Sequence, residues 1–241
     1  GIGKSTAIRL ALEGFNFILC GRRLQRLEHL KKELGKQSRI HILNFDVRNK
    51  EEVFNQIEAL PEEFQNIDVL INNAGNAHGL NSIQNGSTED WDAMLDINVK
   101  GLLYVSKAII PRMLKNQSGH IINIGSTAGK EVYPNGNVYC ASKFAVDALN
   151  QGMRIDLNGN GIRVGAVNPG LTQTEFSEVR FKGDSDRADK VYQGFKALQP
   201  EDIADIIHFV ITRPYHVNIA DLTVMPTAQA SSTIIDKSNN S

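Results

Sequence analysis

The feature that most constrains this chain is an alternation of two hydrophobic periods. Short apolar runs recur along it: Phe17 to Cys20, Ile40 to Phe45, Ile67 to Ile71, Ile121 to Ile124, Ile162 to Val167 and Leu222 to Met225. Each has the length of a strand, and Phe17-Ile18-Leu19-Cys20 reads as a buried one. The stretches between them follow the helical period. Arg22 to Leu34 sets Leu24, Leu27, Leu30 and Leu34 on one face and closes at Gly35. Further helices are predicted over Lys4–Glu13, from the N-cap Asn49 to about Leu60, from Ser87 or Thr88 to about Asn116 with a bend at Pro111, over Val138–Leu157, and over Pro200–Thr212. Leu171 to Leu198 is irregular and charged, and the polar tail from Ser231 is expected to be loose.

Strand and helix in alternation predict an α/β fold, a doubly wound parallel sheet with helices on both faces. No repeat, linker or low-complexity segment divides the chain, so residues 1–241 are expected to form one domain. Gly1-Ile2-Gly3 is a glycine-rich turn that opens a helix. Such a turn follows a strand, so a seventh strand is expected to precede Gly1, outside this chain. In such sheets ligands bind beyond the carboxyl ends of the strands. Gly1 and Gly3, Arg22 and Arg23, Asp46, Asn73, Ser126, and Pro169-Gly170 all fall there.

Composition narrows the partners. The 26 basic and 27 acidic residues nearly cancel, which argues against binding nucleic acid or a membrane surface through charge. No apolar run approaches the roughly 18 residues of a spanning helix. Cys20 and Cys140 lack metal-ligand spacing, so no metal is expected. Two cysteines in a chain of this length suit a reducing, cytoplasmic compartment.

Tyr139 and Lys143 lie four apart, on one face of the predicted helix. A Lys ammonium there favours the phenolate. It is expected to lower the tyrosine pKa from about 10 toward working pH, as a general acid/base requires. The same spacing recurs at Tyr192 and Lys196, so the pair alone is weak. Ser126 separates the two cases: it stands thirteen residues ahead of Tyr139, just after an apolar run, whereas Val179 holds the matching position ahead of Tyr192.

At Gly1 and Gly3 a diphosphate can approach free N–H groups at a helix N-terminus. Gly3-Lys4-Ser5 also matches the end of a phosphate loop, GxxxxGK[ST], with Asp46 as a magnesium ligand. That nucleotide-hydrolase reading leaves Ser126, Tyr139 and Lys143 without a use. At the end of the Phe17 run, where an NAD-binding sheet carries an acid, this chain has Gly21-Arg22-Arg23. Cations at a helix N-terminus oppose the dipole, and here they suit the 2′-phosphate of NADP, with Gly21 leaving room.

Ser126, Tyr139 and Lys143, together with Asn72-Asn73-Ala74-Gly75, Asn98 and Pro169-Gly170, resemble the short-chain dehydrogenase/reductase family over nearly the whole chain. Ile124 to Gly129 and Thr174 to Gly183 are similar to segments of the NADP-dependent 3-hydroxy acid dehydrogenases, which oxidise serine, L-allo-threonine and related acids such as 3-hydroxyisobutyrate. The resemblance implies a Rossmann sheet and hydride transfer between NADP and a small alcohol or carbonyl, with a short-chain reductase of another substrate class as the alternative. It implies that Tyr139 is the general acid/base, that Ser126 holds the substrate oxygen, and that Lys143 tunes Tyr139 and contacts the nicotinamide ribose. Asn98 bends its helix and supports a proton relay to Lys143.

The resemblance also places Gly1, Ile2 and Gly3 at the diphosphate, Asp46 and Val47 at the adenine, and Asn73, Ala74 and Gly75 near the ribose. Pro169, Gly170 and Thr174 fall at the nicotinamide amide. Arg180, in the irregular segment, is the natural bidentate partner of a substrate carboxylate. Family members assemble as tetramers, so a homotetramer is expected. Plain readings stay open: Asp46 as a turn cap, Asn98 as a solvent-facing residue, Pro169-Gly170 as a simple turn. A fold relative that binds NADP without turnover is a second class, against which the intact Ser-Tyr-Lys set argues.

Overall fold

The computed structural model describes residues 1–238. Among them are six strands: β1 (Phe17–Gly21), β2 (Ile40–Asn44), β3 (Val69–Asn72), β4 (Gly119–Ile124), β5 (Ile162–Pro169) and β6 (Asp221–Val224). The helices are α1 (Ile2–Ala11), α2 (Leu24–Leu34), α3 (Lys50–Glu58), α4 (Thr88–Leu95), α5 (Leu102–Asn116), α6 (Asn137–Asp156), α7 (Phe176–Arg180), α8 (Ser185–Lys190) and α9 (Pro200–Ile211). All strand pairings are parallel, as the alternation predicts.

The strands form two sheets where a single one was expected. β1 pairs with β2, and β3-β4-β5-β6 follow in order. No strand among the described residues lies between β1 and β3 to carry the hydrogen-bond ladder across, and the two border one large cleft.

Successive residues of a strand point to opposite faces, and here both faces are covered. Ile121 of β4 packs with Val53, Ile57, Ile109, Met113 and Val164 on the side of α3 and α5. Ile122 and Ile124 pack with Leu10, Val167, Ile203, Ile207 and Val210 on the side of α1 and α9. Ile121 and Ile122 are both fully buried, each contributing about 1.5–3 kcal/mol of burial. This is why consecutive residues of β4, Ile121 and Ile122, are both apolar instead of alternating with polar ones. Leu30 and Leu34 carry the buried stripe of α2, whereas Leu24 is exposed.

The long helix predicted from Ser87 to Asn116 is not uniformly α-helical, its hydrogen-bond pattern changing ahead of Pro111. The Ser87 hydroxyl caps α4 by accepting from the Asp90 N–H, and the helix then passes through a π-helical turn at Asp96–Gly101 before α5. Pro111 lies inside α5 without ending it. The irregularity falls where the Asn98 side chain bonds outside its own helix and where Gly101 meets Val47, whose Cγ2 would be 2.7 Å from a Cβ on the glycine. π-turns of this kind frequently mark functional sites.

The polar tail is tied down over its described part. The Asp236 N–H donates to Ala228 O, and the Ser232 N–H to the Glu131 carboxylate. Residues 239–241 of that predicted loose tail lie outside the described residues.

His120 of β4 is 1% exposed, and neither ring nitrogen has a partner among the described residues. Burial, and then the Arg163 charge, depress its pKa from 6.5 to about 4. The unfolded chain therefore binds a proton, as pH falls, that the folded chain refuses. Stability is complete above about pH 6.5 and falls toward pH 4, by about 3 kcal/mol in all. His120→Leu is expected to flatten this acid loss. Urea midpoints at neutral and acid pH measure it, and an unchanged loss in the variant would exclude His120 as its origin.

Candidate active site

The cleft, about 1830 Å³ in all, fills the gap between β1 and β3, where Phe17, Leu19, Val69 and Ile71 line it, and opens at the carboxyl ends of β1, β3, β4 and β5. At its centre is the N-terminus of α1. Gly1 is the N-cap, no side chain caps it, and no acid lies in the first turn. The first N–H groups of a helix have no intrahelical partner, so this end presents donors and positive dipole to the cleft. A Cβ on Gly3 would lie 2.8 Å from Asn73 Nδ2, so the Asn73 side chain packs closely on the turn where the loop after β3 meets it. Asn73, Ala74 and Gly75 line the cleft there. These features fit an anionic diphosphate.

Ser126 follows β4 in extended backbone, and its Oγ accepts from the Ala128 N–H at 3.1 Å. The loop it opens packs directly on α6: a Cβ on Gly129 would fall 2.7 Å from Lys143 O. Tyr139 and Lys143 are both buried on α6. Lys143 Nζ donates to Ile124 O at 2.9 Å, which ties the lysine to the end of β4.

Asn98 is 1% exposed, which removes the solvent-facing alternative. Its Oδ1 accepts from the Asn76 N–H at 2.8 Å, and its Nδ2 donates to Asn76 O at 2.8 Å and Ser142 Oγ at 3.0 Å. It neighbours Lys143: a Cβ on Gly75 would lie 3.3 Å from Asn98 Oδ1 and 3.5 Å from Lys143 Nζ.

The electrostatics correct one expectation. Burial pushes the Tyr139 phenol well above its ordinary pKa, against the pull of the Ser126 hydroxyl and the Arg180 charge. Burial also pushes the Lys143 ammonium down, to about 8. The expected lowering of Tyr139 by Lys143 is thus absent, desolvation dominates both groups, and the protonated phenol is the resting form.

At the other end of the cleft the two arginines differ. Arg22 lies 3.7 Å from the Asp46 carboxylate, whereas Arg23 Nη1 donates to Glu175 at 2.9 Å. Asp46 itself accepts from Arg48 through Nε and Nη2, and from the Arg48 N–H. It acts in the turn before Asn49, and its carboxylate is engaged. Burial pushes that carboxyl up, but the Arg48 hydrogen bonds prevail and hold it below the usual range. Val47 packs against Gly101 and lines the cleft.

After β5, the Gly170 N–H donates to Val224 O, and a Cβ there would be 2.3 Å from Gln229 Oε1. Pro169-Gly170 is thus a close backbone approach in which Gln229 takes part. Thr174 Cβ lies 3.5 Å from the place a Cβ on Gly1 would occupy. Arg180 donates through Nε to Gly79 O and through Nη2 to Tyr133 Oη, and its guanidinium sits 5.5 Å from the ring centres of both Tyr133 and Tyr139.

Phe176, inside the family-like segment Thr174 to Gly183, stands edge-on to Tyr139 at 5.5 Å, whereas Tyr133 carried no sequence signal beyond its residue type. Tyr192 is occupied structurally: its hydroxyl donates to Thr172 O and meets Ser177 Oγ.

Parallel strands wound around an uncapped helix N-terminus, with Ser, Tyr and Lys gathered at their ends, define a nucleotide-dependent dehydrogenase. The sequence matches the family model of the short chain dehydrogenases over residues 1–185, and the chain belongs to that family. It is 46% identical over 231 residues to the NADP-dependent 3-hydroxy acid dehydrogenase YdfG of Escherichia coli K12, covering 95% of this chain and 92% of that protein. It is 43% identical to a sulfoacetaldehyde reductase of Chromohalobacter salexigens, over 95% of this chain and 91% of the relative. Among solved structures it is similar to the closed form of a serine dehydrogenase complexed with NADP+, at 45% identity and a TM-score of 0.92, covering 96% of this chain and 93% of that one.

Proposed function

We propose that the protein, as one catalytic domain, oxidises and re-forms small 3-hydroxy acids such as serine, L-allo-threonine or 3-hydroxyisobutyrate with NADP. The observation that carries this reading is Arg180, a part-buried guanidinium over the Tyr139 ring at the substrate end of the cleft. A cation there recognises an acid whose hydroxyl carbon reaches Tyr139. NADP, when bound, supplies or accepts the hydride. The α1 N-terminus at Gly1, Ile2 and Gly3 holds the diphosphate, and Arg22 takes the 2′-phosphate. Asp46 and Val47 border the adenine, and Asn73, Ala74 and Gly75 the ribose. Pro169, Gly170 and Thr174 hold the nicotinamide amide.

Ser126 orients the substrate oxygen, and Tyr139 gives it or takes from it a proton. Lys143 donates to the nicotinamide ribose, and Asn98 supports the relay behind it. The likeness to a sulfoacetaldehyde reductase makes a two-carbon sulfonate the second candidate, because Arg180 pairs with either anion.

Nicotinamide absorbance with serine, 3-hydroxyisobutyrate, sulfoacetaldehyde and an uncharged alcohol tests the substrate class. Turnover of the uncharged alcohol alone would sink it. Arg22→Ala is expected to cut kcat/KM with NADP by about tenfold to a hundredfold and leave NAD nearly untouched. Equal use of both cofactors by the unmutated enzyme contradicts the assignment.

The assembly we favour is a homotetramer. Leu95, Leu103, Leu114, Phe144 and Ile155 of α4, α5 and α6 are exposed in the single chain, an apolar area suited to helix pairing. A monomer by light scattering at micromolar concentration would refute it. We assign the protein to a reducing cytoplasm, a reading that two free cysteines support, and recovery of the chain in a membrane or secreted fraction would contradict that. No described helix is long and apolar enough to cross a membrane.

A further inference from the structure

The segment after β5 meets the start of α2 across the mouth of the cleft. Glu175 accepts from Arg23 Nη1 at 2.9 Å and from Arg26 Nη1 at 2.5 Å. Arg23 caps α2 just after β1, and Arg26 lies in the first turn of that helix. Glu175 caps α7, six residues beyond the end of β5. β1 and β5 stand on opposite sides of the cleft, with β3 and β4 on the β5 side between them. The bridge therefore spans the cleft. Beneath it is the α1 N-terminus, because Thr174, the neighbour of Glu175, packs at Gly1. Glu175, Arg23, Arg26 and Gly1 all line the same cleft.

The three side chains are exposed, with relative areas of 63% for Arg23, 58% for Arg26 and 43% for Glu175. Exposed ion pairs add little to fold stability, so stability alone does not account for two guanidinium groups on one carboxylate. The two guanidinium groups hold that carboxyl below its usual range, Arg26 contributing more than Arg23. What the bridge does hold is position. The same segment carries Thr174 at Gly1, Phe176 against Tyr139, and Arg180 over Tyr139. Fixing Glu175 fixes the wall of the reaction end from an anchor at the adenosine end.

We propose that Glu175, gripped by Arg23 and Arg26, is a positioning residue that straps residues 174–180 across the bound dinucleotide, so that cofactor leaves only when this bridge opens. This rests on the reading that a nicotinamide dinucleotide occupies the cleft. It divides labour among the arginines: Arg22, beside Asp46, reads the 2′-phosphate, whereas Arg23 and Arg26 hold the strap. The strap crosses the diphosphate, which NADP and NAD share, so it retains both cofactors alike.

The test is the release rate of NADPH and of NADH, followed by stopped-flow fluorescence during displacement. Glu175→Gln is expected to release both reduced cofactors roughly two- to fivefold faster. The charge-swapped double variant Glu175→Arg/Arg26→Glu is expected to bring both rates back toward those of the unmutated enzyme. Unchanged release from Glu175→Gln overturns the strap. So does tighter NADPH binding with NADH unaffected, since Glu175 would then only compete with the 2′-phosphate for Arg23. An unmutated protein that binds neither cofactor overturns the cofactor reading, and the strap with it.

Discussion

Tyr139→Phe is expected to lower kcat by about a hundred- to ten-thousandfold, the usual contribution of a positioned acid/base, with cofactor affinity unchanged. Only a hydroxyl is lost. The ring keeps its edge-on contact with Phe176 and its place among Ala77, Met94 and Ala128, so the fold persists. Because burial holds the phenol protonated, the resting residue is a proton donor. Carbonyl reduction should therefore run flat through neutral pH, while alcohol oxidation, which needs a proton acceptor, should climb as pH rises. Tyr192→Phe is the internal control: its hydroxyl serves Thr172 and Ser177, so that variant should stay active. Steady-state kinetics of the two variants, beside fluorescence titration of NADPH, decide the matter. Near-normal turnover by Tyr139→Phe would remove the tyrosine from the chemistry.

Lys143→Met is expected to lose turnover on a similar scale and yet melt at a higher temperature. The ammonium is buried, and its pKa falls from 10.5 to about 8. The sign follows from linkage: the folded state binds this proton less tightly than the unfolded state. The destabilisation is fully present below about pH 8 and disappears as pH rises through 10.5, and it amounts to about 3 kcal/mol at neutral pH. Methionine fills nearly the same space without a charge. The Ile124 carbonyl loses its donor, which costs roughly 1–3 kcal/mol, so a net gain of about 1 kcal/mol remains. Thermal melts at neutral and alkaline pH measure this, and the gain should vanish at the alkaline end. A variant less stable at neutral pH would show that the bond to Ile124 outweighs the burial. On this expectation the same lysine destabilises the fold while serving the proposed site, a usual arrangement where a charge must be kept in a buried place.

Local chemistry made much of this legible in advance. Asn49 and Ser87 cap their helices because a cap is made within three residues of itself. Tyr139 and Lys143 share a helix face because their spacing is one helical turn. Ser126 reaches them because a buried apolar run ends just ahead of it and parallel strands carry their ends to one edge. The strand β4 was visible in the apolar run Ile121 to Ile124.

What the sequence could not decide depends on contacts between distant residues. Asn98 sits in the π-helical turn, its amide claimed by the backbone of Asn76, 22 positions earlier, whereas Pro111 sits where α5 tolerates it. Arg23, one of a matched pair with Arg22 in the sequence, is separated from it by Glu175, 152 positions away. The tail from Ser231 is polar but hooks onto Glu131 and Ala228.

The direction of the Tyr139 shift was misread for the same reason. Sequence spacing reports that a lysine is near, but only the packed structure sets how much water both groups lose, and desolvation prevails. The sequence by itself determined the α/β alternation, the helix caps and the residues gathered at the strand ends, because these depend on periodicity and on neighbours within one turn. The tertiary structure alone decided which charges are paired, which hydroxyl is buried and where the helix takes its π-helical turn, because those depend on solvent exclusion and on partners the chain brings together only when folded.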